Sequence, residues 1–123
     1  MDFLESKGIY LQIVDQLCDR ILCGEWTVNE RIPAIREMAA LLGVNPNTVT
    51  RSYKELMDLN IIFNRRGIGY FVSQDALQRI HNNKRNEFVK NELPHFFTTM
   101  NQLGLGWSDI EKIYRDFQET GEV

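Results

Sequence analysis

Cysteine, histidine and tryptophan are scarce in this chain of 123 residues, with two of each, and it has only three prolines. Cys18 and Cys23 are too few for a disulfide framework, and His81 and His95 lie too far off in sequence to complete a metal site at usual ligand spacings. Both thiols are read as free and buried, and neither a metal nor another cofactor is expected. No apolar run approaches the ~20 residues that a membrane span needs, and no secretory leader opens the chain. A cytoplasmic protein without a membrane partner is therefore expected. Nucleophile motifs, clustered histidines and carboxylates, and phosphate loops are missing too, which excludes an enzyme. Gly67 and Gly69 form a lone G-x-G, but no helix opens after it, so they are read as turn glycines.

An excess of positive charge is also lacking. The net charge is −3 and the pI about 5.4, which at face value argues against nucleic acid, because phosphates are neutralised by Lys and Arg. The distribution reverses that inference. Residues 1–30 carry two basic and six acidic side chains, residues 31–72 six basic and three acidic, and residues 73–123 six basic and eight acidic. The three segments thus carry −4, +3 and −2. A basic middle third between acidic flanks fits a nucleic-acid surface on an acidic body. With 43% apolar and 25% charged residues the composition is globular, and the length holds one domain with at most a short appendage.

Hydrophobic spacing divides the chain into elements. Tyr10, Ile13, Val14, Leu17 and Ile21 share one helix face, with Gly24 as the stop. A loop through Glu30–Pro33 follows, in which Pro33 keeps Ile32 extended. A short second helix over Ile35–Leu42 turns Ile35, Met38, Ala39 and Leu42 inward and stops at Gly43. Asn45 caps a third helix and Pro46 occupies its first position, where the missing amide had no partner. Its apolar face is Val49, Tyr53, Leu56 and Met57, and it ends near Asn60, which tolerates left-handed geometry. Two helices joined by a tight glycine-containing turn form a helix-turn-helix. Ile61–Phe63, a turn over Asn64–Gly69 and Tyr70–Val72 then predict a β-hairpin with Arg65 and Arg66 at its tip. The predicted fold is mostly α with a small β-hairpin: a winged helix-turn-helix over residues 1–73, then a short tail of two to three helices over residues 74–123. Pro94 is expected to kink or break the tail, and Ser108 and Glu111 have capping-box spacing before its last helix.

In a helix-turn-helix the N-terminal turn of the second helix faces base edges, while the preceding helix and the wing hold phosphates. Here that turn offers Asn45, Asn47, Thr48, Thr50 and Arg51. Asn47 suits adenine, Thr50 brings a hydroxyl and a methyl group, and Arg51 reaches guanine or phosphate. Arg36 at the start of the second helix suits a phosphate, its alternative being a surface ion pair with Glu37 or Glu30. Arg65, Arg66 and Gly67 on the wing are further DNA candidates, their alternative being a solvated turn.

The segment RIPAIREMAALLGVNPNTVTRSYKELMDLNIIFNRRGIGYFV, residues 31–72, resembles the DNA-binding signature of the GntR family of bacterial transcription regulators almost throughout. VNPNTV at 44–49 and the short tail further resemble the YtrA subfamily, whose C-terminal helices serve dimerisation. The resemblance implies DNA contacts at Arg36, at Asn47, Thr48 and Thr50, and at Arg66 and Gly67. It also implies a repressor, and control of a transporter operon. Three positions depart from the pattern. Ala34 replaces a serine that caps the second helix and touches phosphate, Pro46 replaces the base-reading arginine of other subfamilies, and Asn60 replaces a glycine after the reader helix.

About 50 residues of tail bury too little surface to be stable alone. Phe88, Phe96, Phe97, Trp107, Ile110, Tyr114 and Phe117 are therefore expected to pack both on their own chain and on a second copy, giving a twofold dimer on a palindromic operator. The tail is too short for the separate sensing domain of larger relatives, so a small-molecule effector would have to bind between tail helices or at the dimer interface, and no residue marks such a site. The rival reading is a winged-helix module that binds protein, which acidic flanks would suit. Salt separates the two, because DNA binding through several phosphates weakens steeply as salt rises.

Overall fold

The computed structural model describes residues 8–122. Helix α1 (Ile9–Leu22) buries Ile13, Val14, Leu17, Cys18 and Ile21 along one stripe. Its chain turns away through Gly24 at φ +87°, a conformation that glycine adopts without steric cost. Cys18 is buried as expected, whereas Cys23 is exposed, because it caps the end of α1 and its thiol donates to the Arg20 carbonyl at 3.3 Å.

Helices α2 (Ile35–Leu42) and α3 (Pro46–Asp58) are joined by the predicted turn. Gly43 closes α2 in the left-handed conformation, φ +68° and ψ +36°. Met38 and Ala39 of α2 are buried, and Ile35 and Leu42 pack on the core from its rim. After α3, Asn60 takes φ +60°, the left-handed geometry expected of it.

The hairpin is β2 (Ile62–Arg65) and β3 (Gly69–Val72), antiparallel with Ile62 opposite Val72 and Arg65 opposite Gly69. Its turn is shorter than the predicted Asn64–Gly69, because Asn64, Arg65 and Gly69 are drawn into the ladder. A third strand, β1 (Arg31–Ile32), pairs antiparallel with β3 on its other edge, giving the order β1-β3-β2. This segment reads as loop in the sequence because two residues have no period to detect. The pairing continues upstream, where the Asn29 amide donates to the Val72 carbonyl at 2.8 Å and the Val72 amide to the Glu30 carbonyl at 3.0 Å.

The chain divides into two compact units, one ending at Arg85 and the other running from Asn86. The first extends past the wing because Ala76 and Ile80 of helix α4 (Ala76–Glu87) are buried in the same core as Val72, Ile62 and Tyr53. Lys84 of α4 pairs with Asp19 of α1 at 3.3 Å.

In the second unit, Phe88–Glu92 form a π-helical segment and α5 (Leu93–Gln102) follows directly. The kink or break expected near Pro94 takes the form of this π-helical interruption, through which the chain stays helical. The Leu93 amide bonds back to the Phe88 carbonyl, a wide π turn just before the proline, and Glu87 and Leu93 both keep right-handed helical dihedrals. Pro94 then lies in the first turn of α5, where its missing amide costs least. Helix α6 (Trp107–Thr120) begins after Gly106, whose amide donates to Asp109 Oδ2 at 2.8 Å. The cap therefore uses Gly106 and Asp109, not Ser108 and Glu111, since the helix starts one residue before Ser108.

Candidate nucleic-acid interface

Helix α3 is held from behind. Val49, Ser52, Tyr53 and Leu56 are buried. The Ser52 hydroxyl donates to the Tyr10 carbonyl of α1 at 2.8 Å, with the Thr48 carbonyl at 3.1 Å as the alternative acceptor. The Tyr53 hydroxyl donates to the Pro33 carbonyl at 2.6 Å, and its ring meets Tyr70 of β3 edge-on, centroids 4.9 Å apart. Burial, then the neighbouring Tyr70 and Glu37, hold the Tyr53 phenol well above the ordinary tyrosine range. These contacts tie α3 to α1, to the segment before α2, and to the wing, so the opposite face of α3 is presented rigidly.

That face carries the predicted reader residues. Asn45, Asn47, Thr50 and Arg51 are exposed and Thr48 is half-buried. Asn45 Oδ1 accepts from the Asn47 amide at 2.8 Å, so the Asn45 side chain works as the helix cap and only its amide nitrogen is left for a ligand. The Thr50 hydroxyl donates to the Pro46 carbonyl at 3.0 Å, leaving a methyl group and an acceptor for a base edge. Arg51 does not extend freely, since its guanidinium carbon lies 4.0 Å from the centroid of the Tyr10 ring. Tyr10 has the apolar spacing of the α1 core face yet is only half-buried, because its ring serves as the platform for Arg51.

Arg36 sits in the first turn of α2 and is exposed. Among the described residues it forms no ion pair with Glu37 or Glu30; Glu30 instead accepts from the Thr27 amide and hydroxyl, both at 3.1 Å. Ala34 precedes α2 in extended conformation with no side-chain cap, so the first α2 amides keep no side-chain acceptor beside Arg36.

On the wing, Arg66 and Gly67 form the tip, with Gly67 at φ +77° and the Ile68 amide returning to the Arg65 carbonyl at 2.9 Å. Arg65 is not at the tip but ends β2. Its guanidinium lies 5.2 Å from the Phe71 centroid and 5.8 Å from that of Phe63, two rings stacked 5.7 Å apart. The arrangement offers amide, hydroxyl and methyl groups at one helix end and guanidinium groups on either side, which is what a groove between two phosphate strands requires.

In the second unit the Phe96 and Phe97 rings meet edge-on, centroids 5.9 Å apart. Phe88, Phe96, Phe97, Trp107, Tyr114 and Phe117 all stay exposed, and only Ile110 is half-buried. Among the described residues no three His, Cys, Asp or Glu side chains gather as metal ligands, and no helix is long and apolar enough to cross a membrane.

Comparison with known proteins agrees with this geometry. Residues 9–72 match the bacterial regulatory proteins of the gntR family. The HTH-type transcriptional regulator YhcF of Bacillus subtilis is 36% identical over 97% of this chain and 97% of its own length. The HTH-type transcriptional repressor YtrA of the same organism is 30% identical over 97% of this chain and 88% of its own. A solved GntR-family regulator from Bacteroides thetaiotaomicron superposes with a TM-score of 0.81 at 42% identity, covering 94% of this chain and all of that one. These relatives are transcriptional regulators, not enzymes. With a matching profile across the whole winged helix and similarity that runs on through the tail, the chain belongs to the GntR family of bacterial transcription regulators.

Proposed function

We propose that this regulator is a sequence-specific repressor that binds a palindromic operator in double-stranded DNA as a homodimer, in the cytoplasm. The observation that carries the reading is the exposed polar turn of α3, fixed from behind by Ser52 and Tyr53 and flanked by Arg36 and the wing. In it Asn47 and Thr50 read base edges, while Asn45 sets the start of the helix. Arg36, Thr48, Arg51, Arg65, Arg66 and the Gly67 backbone hold phosphates. Repression is supported by the naming of the relative YtrA as a repressor.

The tail supplies the dimer. Trp107, Ile110, Tyr114 and Phe117 recur at helical spacing along α6, and Trp107 is 62% and Tyr114 57% exposed. Phe88, Phe96 and Phe97 add to the apolar surface of this unit, which buries no residue of α5 or α6. Burying such half-exposed side chains gains about 1 kcal/mol each, enough in sum to favour a second copy over water. A twofold dimer places two α3 helices on half-sites roughly 10 base pairs, or a multiple, apart.

Footprinting on the DNA upstream of the protein's own gene, with light scattering on the same sample, tests the reading. Two protected half-sites related by a dyad and a mass of two chains are expected. A monomer that protects no site, or a sample that captures protein but shows no salt-sensitive DNA binding, would favour the protein-interaction alternative.

A further inference from the structure

The outer face of the wing sheet brings together residues that lie far apart in sequence. Arg31 stands opposite Phe71, Phe63 opposite Phe71, and Arg65 opposite Gly69. Side chains alternate along a strand, so these five share one face, and Ile32, Ile62 and Val72 fill the other with core. The stacked rings of Phe63 and Phe71 form the floor, and Arg65 lies across both.

Arg31 reaches along this face toward the tip. A Cβ on Gly69 would lie 2.7 Å from Arg31 Nε, 3.3 Å from Cζ and 3.4 Å from Nη2, so the guanidinium occupies the space that any other side chain at 69 would fill. Gly69 also takes φ +147°, outside the range of ordinary residues. Both features make position 69 a notch in the strand through which Arg31 approaches the Arg65 end of the sheet.

Arg31 and Arg65 are thus exposed on the outer face of one small sheet, with Arg66 in the turn just beyond β2, and among the described residues none of the three has a carboxylate partner. Guanidinium groups brought to the same end of a sheet without an acid repel one another unless an anion bridges them. The flat aromatic floor limits how far Arg65 can swing, which lowers the entropy lost on binding. From this convergence we infer that the outer face of the wing is an extended phosphate-backbone site for duplex DNA, in which Arg31 of β1 is a contact residue and Gly69 is the notch that admits it. The inference rests on the DNA-binding reading above and extends it from the wing tip to the whole outer face.

The test is DNA affinity as a function of salt, for the wild type, Arg31→Ala and Arg31→Lys. The probes are a duplex from upstream of the protein's own gene and a random duplex of equal length. Arg31→Ala is expected to weaken binding to both duplexes by the same factor, about tenfold near 0.1 M salt, and to reduce the slope of log affinity against log salt by about 0.9 per bound chain. Arg31→Lys keeps the charge and is expected to keep most of the slope. Thermal unfolding of Arg31→Ala serves as the folding control, since Arg31 is exposed. Gly69→Ala gives a second arm: if it folds, it is expected to reproduce the Arg31→Ala loss by displacing the guanidinium. Wild-type affinity and slope in Arg31→Ala would overturn the inference while leaving the DNA-binding reading intact, as would a loss confined to the upstream duplex. Absence of salt-dependent binding by the wild type itself would overturn both.

Discussion

The Tyr53 hydroxyl of α3 reaches the Pro33 carbonyl across 2.6 Å, and this one bond fixes the spacing between the reader helix and the segment that launches α2. Arg36 lies three residues beyond Pro33 and Asn47 six before Tyr53, so the relative placement of the proposed phosphate contact and the proposed base contact depends on a buried phenol.

Tyr53→Phe keeps the ring, its packing and its edge-on contact with Tyr70, and strands the Pro33 carbonyl. A stability loss of about 1–2 kcal/mol is expected in denaturant unfolding. The pH dependence follows from the raised phenol pKa. The protonated phenol is favoured in the folded state, so its contribution is complete below the ordinary tyrosine pKa of about 10. It is lost as pH rises above that value, because the unfolded chain ionises first. Wild-type stability should therefore fall above about pH 10, and Tyr53→Phe should fall less steeply.

Asn47 and Arg36 are expected to fail differently. Asn47→Ala removes a group suited to a base edge and should cost about 1–3 kcal/mol on the operator while leaving random duplex nearly unchanged. Arg36→Ala should weaken both by a similar factor and lower the salt slope. Parallel competition assays on operator and random duplex read the two patterns.

Tyr10 is expected to govern Arg51. The guanidinium stacks on the ring face, so Tyr10→Phe should leave DNA affinity unchanged and Tyr10→Ala should reduce it to about the level of Arg51→Ala. Combining Tyr10→Ala with Arg51→Ala should then add little, because neighbouring residues that act through one contact are not additive.

For the tail, Trp107→Asp and Tyr114→Asp place charges on the exposed stripe of α6 without touching a buried residue. Each is expected to shift the molar mass in light scattering from two chains to one, with little change in far-UV circular dichroism. DNA affinity should fall with it, since the second half-site is lost.

Much of the DNA-reading unit was legible because its punctuation is chemical. Gly43 takes the left-handed conformation without steric cost, Asn45 and Pro46 are suited to a helix start, and α2 ends and α3 begins where those residues place them. What escaped depends on distant partners. Arg31–Ile32 become a strand only because β3 offers a free edge, and Cys23 is exposed because α1 ends there. Pro94 is tolerated because a π turn precedes it, which no local residue preference announces. Of the candidate site, Asn47 and Arg36 stand exposed where their spacing put them. Arg51 was readable as a polar face residue, but its platform, Tyr10, lies 41 positions away in sequence and was visible only as part of an apolar stripe.

Everything proposed for this regulator depends on the exposed turn of α3 reading DNA sequence. Equilibrium binding of the wild-type chain to a duplex from upstream of its own gene, against a shuffled duplex of equal length and composition and across salt, tests it most directly. Binding to the upstream duplex is expected to be tighter by about a thousandfold or more, with affinity for both falling steeply as salt rises. Equal affinity for the two duplexes, or binding indifferent to salt, would contradict it.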